Sequence, residues 1–483
     1  MNNLLVMKFG GTSMGSAERI RVAARISAEQ HAARPVVIVV SAMSGVTDLL
    51  LDSLRKAEAG DQADLDANLG KLHARHIEAC RDLLPADRQE TVLVGLHSIL
   101  SEFCRIAKGC LMLGERPPRS IDEAIAIGER LSSVLMAEFL ESQGIQAAAV
   151  NGAEVIATDA VFGNATPLML PTRERAAAVV RPLLDRHVLP VMTGFNGSTI
   201  DGRPTTLGRG GSDFSASIVA AALDAAELWI WTDVDGIMTA DPRLVADARV
   251  LEEVTYSEAA ELAYNGAKVL HPRTLAPLAE RQIPVWSKNS FAPEKPGTRI
   301  VPRIASTCGP HAVTSMKDVA LVAVEPANAV VSGTKLMARA LEALARANVE
   351  VLAITSSSYR QNFCFLVRQT ELERATEHLE ENLSLEFAHG YLKPVDVDRN
   401  VGLIAVVGEG MRGTPGLAGR IFTAISRENV NIIAIAQGSS ELTIAIVVHR
   451  DGLERAVRAI HQECGLGARP GSGARGYQRR HER

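Results

Sequence analysis

A segment rich in glycine and in anion-binding side chains, residues 205–213, stands out for the chemistry it could perform. It reads Thr-Thr-Leu-Gly-Arg-Gly-Gly-Ser-Asp and leads into an apolar stretch, 214–223, that predicts a helix. Glycines let a ligand approach the backbone, and the first N–H groups of a helix favour negative charge. Arg209 adds a planar guanidinium suited to a carboxylate or phosphate. The segment therefore predicts an anion site, with a plain glycine-rich turn as the alternative.

A lysine and two glycines follow the first apolar run of the chain. Lys8 precedes the Gly10-Gly11 turn, and a second lysine, Lys268, lies on a later loop. Walker A and protein-kinase signatures are absent from the sequence. Phosphoryl transfer needs positive charge around the moving group and an in-line acceptor. The two lysines and the two glycine amides could supply that charge, which favours a phosphotransferase.

The elements that must position these residues follow a strand–loop–helix pattern. Buried strands are predicted at 4–9, 35–40, 147–150, 188–194, 228–231 and 283–287. This pattern is typical of an α/β protein with an open, mainly parallel sheet between helices, whose ligands lie at the carboxyl ends of the strands. Residues 49–140 predict helices, mostly as an insertion of about 49–125. Glu129 opens the last of these helices, where an acid could simply complement the helix dipole.

The C-terminal third contains an internal repeat. Residues 339–367 align with 420–448 at a gapless offset of 81, with matches such as Asn348/Asn429 and Ile354/Ile435. Each copy predicts strand, loop, helix, strand, strand, so we expect two α+β units. The predicted boundaries are 1–305 for the first domain, 315–398 and 399–468 for the two units, and 469–483 for a flexible tail. Such a doubled unit can be a scaffold, but it more often senses a ligand.

Length and composition exclude several other classes. A chain of 483 residues predicts two to four domains. A net charge of −5 argues against nucleic acid or an acidic membrane as a partner, and no apolar run approaches the ~20 residues that span a bilayer. Six scattered cysteines lack metal-ligand spacing and favour a reducing compartment. We therefore expect a cytoplasmic protein without a metal site of its own. A Gly-x-Gly-x-x-Gly string at 408–413 has too little chain behind it for a dinucleotide domain.

Four strings together resemble aspartate kinase, of the amino acid kinase superfamily. They are Lys8-Phe-Gly-Gly-Thr-Ser13, Thr206-Leu-Gly-Arg-Gly-Gly-Ser-Asp213, Trp231-Thr-Asp-Val-Asp-Gly236 and Gly266-Ala-Lys-Val-Leu-His-Pro272. The doubled unit, with Ala436-Gln-Gly-Ser-Ser-Glu441, resembles that family's paired ferredoxin-like ACT domains. The resemblance runs from about residue 4 to about 466. The second unit's string is replaced by Thr-Ser-Ser-Ser at 355–358 in the first unit, and the family's usual Phe-Gly-Glu reads Ile-Gly-Glu at 127–129.

The resemblance implies phosphorylation of the L-aspartate side-chain carboxylate by ATP, with Mg²⁺ bound to the ATP, giving 4-phospho-L-aspartate for lysine, threonine and methionine synthesis. By motif, Lys8 would stabilise the transferring phosphoryl group and Asp213 would orient Lys8. Glu129 would pair with the substrate's α-ammonium group, and Arg209 would clamp its α-carboxylate. Further substrate contacts would come from Ser41, Thr47 and Ser212, and ATP would be held by Lys8, Gly10, Gly11, Thr232, Asp233, Arg243 and Lys268.

The resemblance also implies regulation. We expect feedback inhibition by threonine or lysine and a homo-oligomer joined through the ACT units. Because the two units differ in their loops, the effector is expected near the first unit's loops or between the units. No homoserine dehydrogenase region follows in the sequence, which predicts a monofunctional enzyme. Two alternatives stay open: a kinase for another small carboxylate, such as glutamate or N-acetylglutamate, and a catalytically silent amino-acid sensor.

Overall fold

The structure is a computed structural model that describes residues 3–267, 270–304, 309–327, 332–357 and 362–467. The predicted tail at 469–483 lies outside these ranges. The chain divides into two compact units. The first contains Met1–Ile237, Glu252–Ala260 and Val269–Ile304, and the second contains Met238–Leu251, Glu261–Lys268 and Ala305–Arg483.

The first unit is built on an eight-stranded sheet in the order β3-β4-β2-β1-β7-β9-β10-β8, and a two-stranded hairpin, β5-β6, accompanies it. All pairs in the sheet are parallel except β9 with β10. The central strands β1 and β2 are buried along their whole length, as in a sheet covered on both faces. The strands are β1 (Leu5–Phe9), β2 (Val36–Val40), β3 (Ala147–Val150), β4 (Leu189–Thr193), β5 (Asn196–Ser198), β6 (Pro204–Thr206), β7 (Glu227–Thr232), β8 (Glu253–Thr255), β9 (Val285–Asn289) and β10 (Thr298–Val301).

The helices within residues 17–142 share one apolar core with strands of the sheet. In that core Phe103 and Leu54, from the predicted helical insertion, cluster with Ile38 of β2. Prolines mark two of the helix boundaries in this region, because Pro85 and Pro117 each precede a helix start. The helices are α1 (Ala17–His31), α2 (Val46–Glu58), α3 (Gln62–Leu83), α4 (Ala86–Leu113), α5 (Pro118–Ile125), α6 (Ile127–Ser142), α7 (Gly152–Val155), α8 (Met169–Val179), α9 (Arg181–Asp185), α10 (Gly211–Ala222), α11 (Tyr256–Tyr264) and α12 (Pro272–Arg281).

A capping box begins α11. Thr255 Oγ1 accepts a hydrogen bond from Glu258 N at 3.1 Å, and Glu258 Oε2 accepts one from Thr255 N at 2.8 Å. The two residues thereby satisfy each other's backbone donors at the helix start, where no intrahelical acceptor exists.

The second unit is built on a six-stranded antiparallel sheet in the order β12-β13-β11-β14-β16-β15. Its strands are β11 (Ala312–Val324), β12 (Ala353–Ser356), β13 (Phe363–Arg368), β14 (Asp396–Val407), β15 (Ile432–Gln437) and β16 (Thr443–His449). Its helices are α13 (Gly333–Arg346), α14 (Leu372–Asn382), α15 (Ser384–Ala388), α16 (Leu417–Arg427) and α17 (Leu453–Glu463).

The two repeats share their long strands. Residues 319–324 of β11 pair with β13, whereas residues 312–316 pair with the end of β14 that also pairs with β16. The second repeat therefore receives a strand from the chain that precedes the first repeat. Asn348 and Asn429, which match in the repeat, have φ values of 50° and 54° after α13 and α16. Both end a helix in the left-handed conformation that asparagine tolerates. The predicted fold class, a mainly parallel α/β sheet followed by two α+β units, is confirmed.

Candidate active site

The polar residues of the first unit gather where parallel strands end. β1, β2, β4 and β7 are parallel neighbours in the sheet, so the loops that follow them lie at one edge. Gly10 N donates to Trp231 O at 3.1 Å, Ser41 N to Phe9 O at 3.1 Å, and Gly194 N to Val40 O at 2.9 Å. These bonds hold the four loops side by side at the edge where ligands of such sheets bind.

Lys8 is the charged centre of this edge. Its Nζ lies 2.6 Å from Asp213 Oδ1, and its side chain is 10% exposed. Asp213 lies in the first turn of α10, which begins after Gly210 with φ of 70°. A Cβ at Gly10 would lie 3.3 Å from Lys8 Nζ. The lysine ammonium therefore rests over the glycine backbone, with its one carboxylate partner fixed at the start of a helix.

The two backbone N–H groups of the Gly10-Gly11 turn differ in their hydrogen bonding. The Gly10 N–H already donates to the Trp231 carbonyl, so it stabilises the turn in this structure and does not face a ligand. Among the described residues, the Gly11 N–H meets no acceptor. A Cβ at Gly11 would lie 3.3 Å from Ala42 O, which shows how closely the next loop approaches. The phosphate role predicted for the two amides therefore rests on Gly11.

A hydrogen bond between Ser13 and Ser290 links the Gly10-Gly11 turn to the segment that follows β9. Their Oγ atoms lie 2.7 Å apart, and Ser290 N donates to Thr232 O at 2.9 Å. Arg19 donates to Ser290 O at 2.7 Å and stacks over the Phe291 ring at 3.4 Å. The Gly-Gly turn is thereby tied to the end of β7.

Glu129 is buried in the first turn of α6 with one carboxyl oxygen unpartnered. It is 3% exposed, and its Oε2 has no hydrogen-bond partner within the described part of the chain. Burial raises the pKa of Glu129 to about 8, against opposing effects of a backbone hydrogen bond with Ala42 and the Lys8 charge. A buried carboxyl oxygen without a partner is costly unless a ligand supplies one.

Gly128 brings Glu129 against the loop after β2. A Cβ at Gly128 would lie 2.8 Å from Ala42 Cβ and 3.2 Å from Val46 Cγ1, so only glycine allows this packing. Ser41 is half-buried in the same loop, and Thr47 is half-buried in the first turn of α2. The structure therefore places both predicted hydroxyls beside the segment that carries the buried carboxyl.

Arg209 is exposed and has no ion pair or hydrogen bond with any described residue. Its loop is shaped by glycines on either side, since Gly208 and Gly210 have φ values of 75° and 70°. Ser212, half-buried in the first turn of α10, lies against the end of β4, where a Cβ at Gly194 would lie 2.8 Å from Ser212 Cβ. The guanidinium is thus held on a tightly packed loop and is free to bind an anion.

The residues predicted to contact the nucleotide do not all lie in the first unit. Thr232 ends β7 beside the Gly-Gly turn and Asp233 follows it, and Thr232 Oγ1 donates to Asp233 Oδ1 at 3.2 Å. Arg243 lies in the second unit, exposed, with its guanidinium 2.6 Å from Asp241 Oδ2. Lys268 lies outside the described residues. The first unit therefore brings together the predicted substrate residues, Lys8, Asp213 and part of the nucleotide set.

Sequence reasoning missed three residues that shape this site. Gly194 permits the close approach of Ser212, and Phe195, with φ of 68°, packs where a Cβ of Gly211 would lie 2.6 Å from its ring. Asp122 accepts hydrogen bonds from two distant segments. A glycine ending a predicted strand was a usable signal for Gly194. The other two depend on contacts between segments that no local pattern reveals.

The arrangement suits an α-amino acid with a further acidic group. A buried carboxyl with one unpartnered oxygen can accept an ammonium group, an exposed guanidinium can bind a carboxylate, and a fixed lysine can stabilise a phosphoryl group. Across the described ranges, no three His, Cys, Asp or Glu side chains come together as a metal site would require. No helix in the described part of the chain has the length and apolar character to cross a bilayer.

Family comparisons match both units. The amino acid kinase family matches residues 3–289, and the ACT domain matches residues 328–383 and 404–464. The chain is 34% identical over 464 residues to bifunctional aspartokinase/homoserine dehydrogenase 1, chloroplastic, of Arabidopsis thaliana, which covers 94% of this chain and 50% of that protein. It is 30% identical over 491 residues to the aspartokinase of Schizosaccharomyces pombe, covering 95% of this chain and 92% of that protein. The chain thus spans about half the length of the bifunctional relatives it matches.

Solved structures show the same likeness. The crystal structure of E. coli aspartokinase III in complex with aspartate and ADP, in the R-state, superimposes with a TM-score of 0.82 at 29% identity, covering 95% of this chain and 99% of that one. The T-state of the same protein, in complex with lysine and aspartate, gives a TM-score of 0.79 at 30% identity, with coverage of 95% and 99%. The resemblance stated from four sequence strings is confirmed by these matches.

Proposed function

Because the chain belongs to the amino acid kinase family, and within it to the aspartokinases, we propose that it phosphorylates the side-chain carboxylate of L-aspartate. The products are 4-phospho-L-aspartate and ADP. The observation that carries this proposal is Glu129, a buried carboxyl with an unpartnered oxygen close enough to Lys8 to be affected by its charge. An α-ammonium group is the natural partner for that oxygen.

The substrate binds through its α-amino and α-carboxylate groups. Glu129 accepts the ammonium group, and Arg209 binds the α-carboxylate through its two parallel N–H donors. Ser41, Thr47 and Ser212 line the remaining wall. Binding at both α-groups directs the side-chain carboxylate towards Lys8, so the reacting oxygen is oriented before the phosphoryl group moves.

The transfer itself needs charge stabilisation more than proton transfer. The aspartate side chain is ionised near neutral pH, so its oxygen attacks the γ-phosphorus without a general base. The new oxygen–phosphorus bond forms as the bond to the β–γ bridging oxygen breaks, and ADP leaves with that electron pair. Lys8, fixed by Asp213, stabilises the negative charge on the transferring group, and the Gly11 N–H donates beside it.

The nucleotide enters as MgATP, the second substrate. Thr232 and Asp233, at the end of β7 next to the Gly-Gly turn, are proposed to contact it. Arg243 and Lys268 complete the proposed nucleotide set. The complex of the E. coli relative with aspartate and ADP supports this pair of ligands.

Hydroxylamine trapping tests the activity. An acyl phosphate reacts with hydroxylamine to give a hydroxamate, so the chain should form the aspartyl hydroxamate from L-aspartate and ATP. N-acetyl-L-aspartate should fail, because it has no ammonium group for Glu129. Glu129→Gln should lower kcat/KM for aspartate by about 100-fold, whereas Glu78→Gln, at an exposed position of α3, should not.

The outcomes separate the alternatives. Hydroxamate from L-glutamate or N-acetylglutamate, but not from L-aspartate, would assign the chain to another carboxylate kinase. Binding of amino acids without any ATP-dependent product would identify a silent sensor. Arg209→Lys should raise the KM for aspartate by about tenfold or more, because lysine lacks the bidentate fork. Arg25→Lys, at an exposed position of α1, is its matched control.

Feedback inhibition by lysine or threonine is proposed for the second unit. The lysine-bound T-state of the E. coli relative and the two ACT matches support it. Titration of the full-length chain with L-lysine, L-threonine and L-methionine should identify one inhibitor, with D-lysine as the control. No inhibition by any of them at millimolar concentration would contradict this proposal.

A homo-oligomer is proposed through the same unit. Ile354 and Ile435, which match in the repeat, lie on the outermost strands of the six-stranded sheet and are 40% and 43% exposed. Apolar side chains at such positions favour association. Light scattering during size-exclusion chromatography should give a mass that is two or more times the 51.6 kDa of one chain. A cytoplasmic location is also proposed, in keeping with the unpaired cysteines among the described residues.

A further inference from the structure

Asp122 is a buried carboxylate that the proposed reaction does not use. It lies in α5, is 1% exposed, and accepts three hydrogen bonds. Its Oδ2 accepts from Gly163 N and Thr206 N, both at 2.8 Å, and its Oδ1 accepts from Thr206 Oγ1 at 2.8 Å. All three donors are neutral. Such an arrangement orders the donors: two backbone N–H groups converge on Oδ2, and loss of the Thr206 hydroxyl would leave Oδ1 without a partner among the described residues.

The three segments joined at Asp122 carry the two ends of the proposed substrate site. α5 is followed after Ala126 by α6, whose first turn carries Glu129. Thr206 ends β6 and precedes Arg209 by three residues in the sequence. Asp122 and Thr206 are 84 residues apart in the chain. The carboxylate therefore bridges the segment with the ammonium acceptor and the segment with the guanidinium.

The Gly163 loop completes this junction. Ala165 N donates to Thr206 O at 2.8 Å, so the loop lies alongside the end of β6. A Cβ at Gly208, where φ is 75°, would lie 2.6 Å from Asn164 Oδ1. The backbone just before Arg209 is thus enclosed by the Gly163 loop on one side and anchored by Asp122 on the other.

We propose that Asp122 is a positioning residue that fixes the separation of Glu129 and Arg209 to match the ammonium and carboxylate groups of an α-amino acid. This inference rests on the proposed function and assigns it a residue that touches neither substrate. A misplacement of about 1 Å in such a pair can cost about 100-fold in rate. The groups proposed for ATP at the end of β7 share no hydrogen bond with Asp122 among the described residues.

The kinetic signature separates positioning from a general structural role. Asp122→Ala should raise the KM for L-aspartate by about 10- to 100-fold, while the KM for ATP stays within about twofold of the wild-type value. A residue that only held the fold together would change both KM values or the yield of folded protein.

Asparagine provides the conservative variant. In Asp122→Asn the amide oxygen can accept both backbone N–H groups, and the amide nitrogen can donate to Thr206 Oγ1, because a hydroxyl also accepts. This variant should keep the KM for aspartate within about threefold of wild type. An equal loss in the Asn and Ala variants would assign the role to the negative charge and overturn the hydrogen-bond account.

Thr206 supplies a second, milder test in case Asp122→Ala does not fold. Thr206→Val removes one of the three donors and should raise the KM for aspartate about five- to tenfold, and Thr206→Ser should restore it. An unchanged KM in Thr206→Val, or a parallel rise in the KM for ATP, would overturn the inference.

Failure of the proposed function is distinguishable from failure of this inference. A wild-type chain that forms aspartyl hydroxamate while Asp122→Ala keeps its KM refutes only the positioning role. A wild-type chain without hydroxamate refutes the activity, and calorimetric titration with L-aspartate then decides the role of Asp122. Unchanged affinity of Asp122→Ala for L-aspartate, or no binding of L-aspartate by the wild type, overturns the positioning role of Asp122.

Discussion

Lys8 Nζ lies 2.6 Å from Asp213 Oδ1, and the ion pair joins the second-last residue of β1 to the first turn of α10. Both side chains are largely shielded, with exposed fractions of 10% and 22%. A largely buried ammonium needs such a partner, and a partner on a helix start limits where the ammonium can point. The pair therefore gives the proposed phosphoryl site a cation of fixed direction.

Removing either member should affect turnover more than binding. Lys8→Ala should lower kcat by about 100- to 1,000-fold, because the charge on the transferring group loses its stabilising cation. Asp213→Asn should lower kcat by about tenfold or more, since Lys8 keeps its charge but loses its orientation. Lys108→Ala, at an exposed position of α4, is the control. Full hydroxamate formation by Lys8→Ala would show that another residue stabilises the transfer.

Glu129 should make aspartate binding depend on pH. Its pKa is raised to about 8 in the ligand-free protein, so the carboxyl is largely protonated at neutral pH. Pairing with an ammonium group requires the carboxylate. The KM for aspartate should therefore fall as pH rises from 6.5 to 8.5, while the KM for ATP does not follow. Steady-state kinetics of Glu129→Gln should lack this pH dependence; a dependence retained in the variant would assign it to another group.

The same raised pKa predicts an effect on stability. An acid that is harder to ionise in the folded state stabilises the fold less and less as pH rises from about 4.5 to about 8. Glu129→Gln cannot ionise, so its melting temperature relative to wild type should increase across that window. Thermal unfolding at pH 5 and pH 8.5 without ligand measures this. If the melting temperatures of Glu129→Gln and wild type differed by the same amount at pH 5 and pH 8.5, Glu129 would not be buried without a partner in the folded protein.

Gly128→Ala should separate α6 from the loop after β2. The added Cβ would lie 2.8 Å from Ala42 Cβ, and overpacking of this kind costs about 1–3 kcal/mol. Because Glu129 is the next residue, the KM for aspartate should rise as well. Gly95→Ala is the matched control, since among the described residues no atom outside its own stretch of helix lies within 4 Å of its added Cβ in α4. That change should stabilise the protein by about 0.5–1 kcal/mol, and a neutral Gly128→Ala would contradict the packing argument.

His76 should contribute less to the stability of the fold in mild acid. It is fully buried in α3, and burial lowers its pKa to about 4, with Nδ1 hydrogen-bonded to Leu72 O at 2.8 Å. A histidine with a lowered folded pKa contributes fully above its unfolded pKa, and this contribution is lost as pH falls from about 6.5 towards 4. Between pH 7.5 and 5 the loss should be about 2 kcal/mol. Urea unfolding of His76→Gln should show a free energy of unfolding that rises relative to wild type by about that amount from pH 7.5 to pH 5, whereas His449→Gln, at an exposed site, should keep a constant difference from wild type.

Local patterns in the sequence determined much of this molecule. Mostly apolar runs of four to six residues followed by polar loops predict β1, β2, β4 and β7, because a strand buried on both faces is mainly apolar. Thr255 and Glu258 predict their capping box from spacing alone, since both partners lie within one helical turn. The repeat predicts the paired units. The candidate residues Lys8, Glu129, Arg209 and Asp213 are also found by their types and by the strings around them.

Contacts between distant segments were decided by the tertiary structure alone. The hairpin β5-β6 has strands of only three residues, too short for a periodic signal, yet it carries Thr206 to Asp122. The Gly10 N–H stabilises the turn because it donates to Trp231 O, which lies more than 200 residues away in the sequence. Residues 312–316 of β11 likewise join the second repeat only through their pairing with β14 across the sheet. Sequence spacing encodes which groups are available, but whether a buried donor or carboxyl finds its partner depends on which chain segments pack against it.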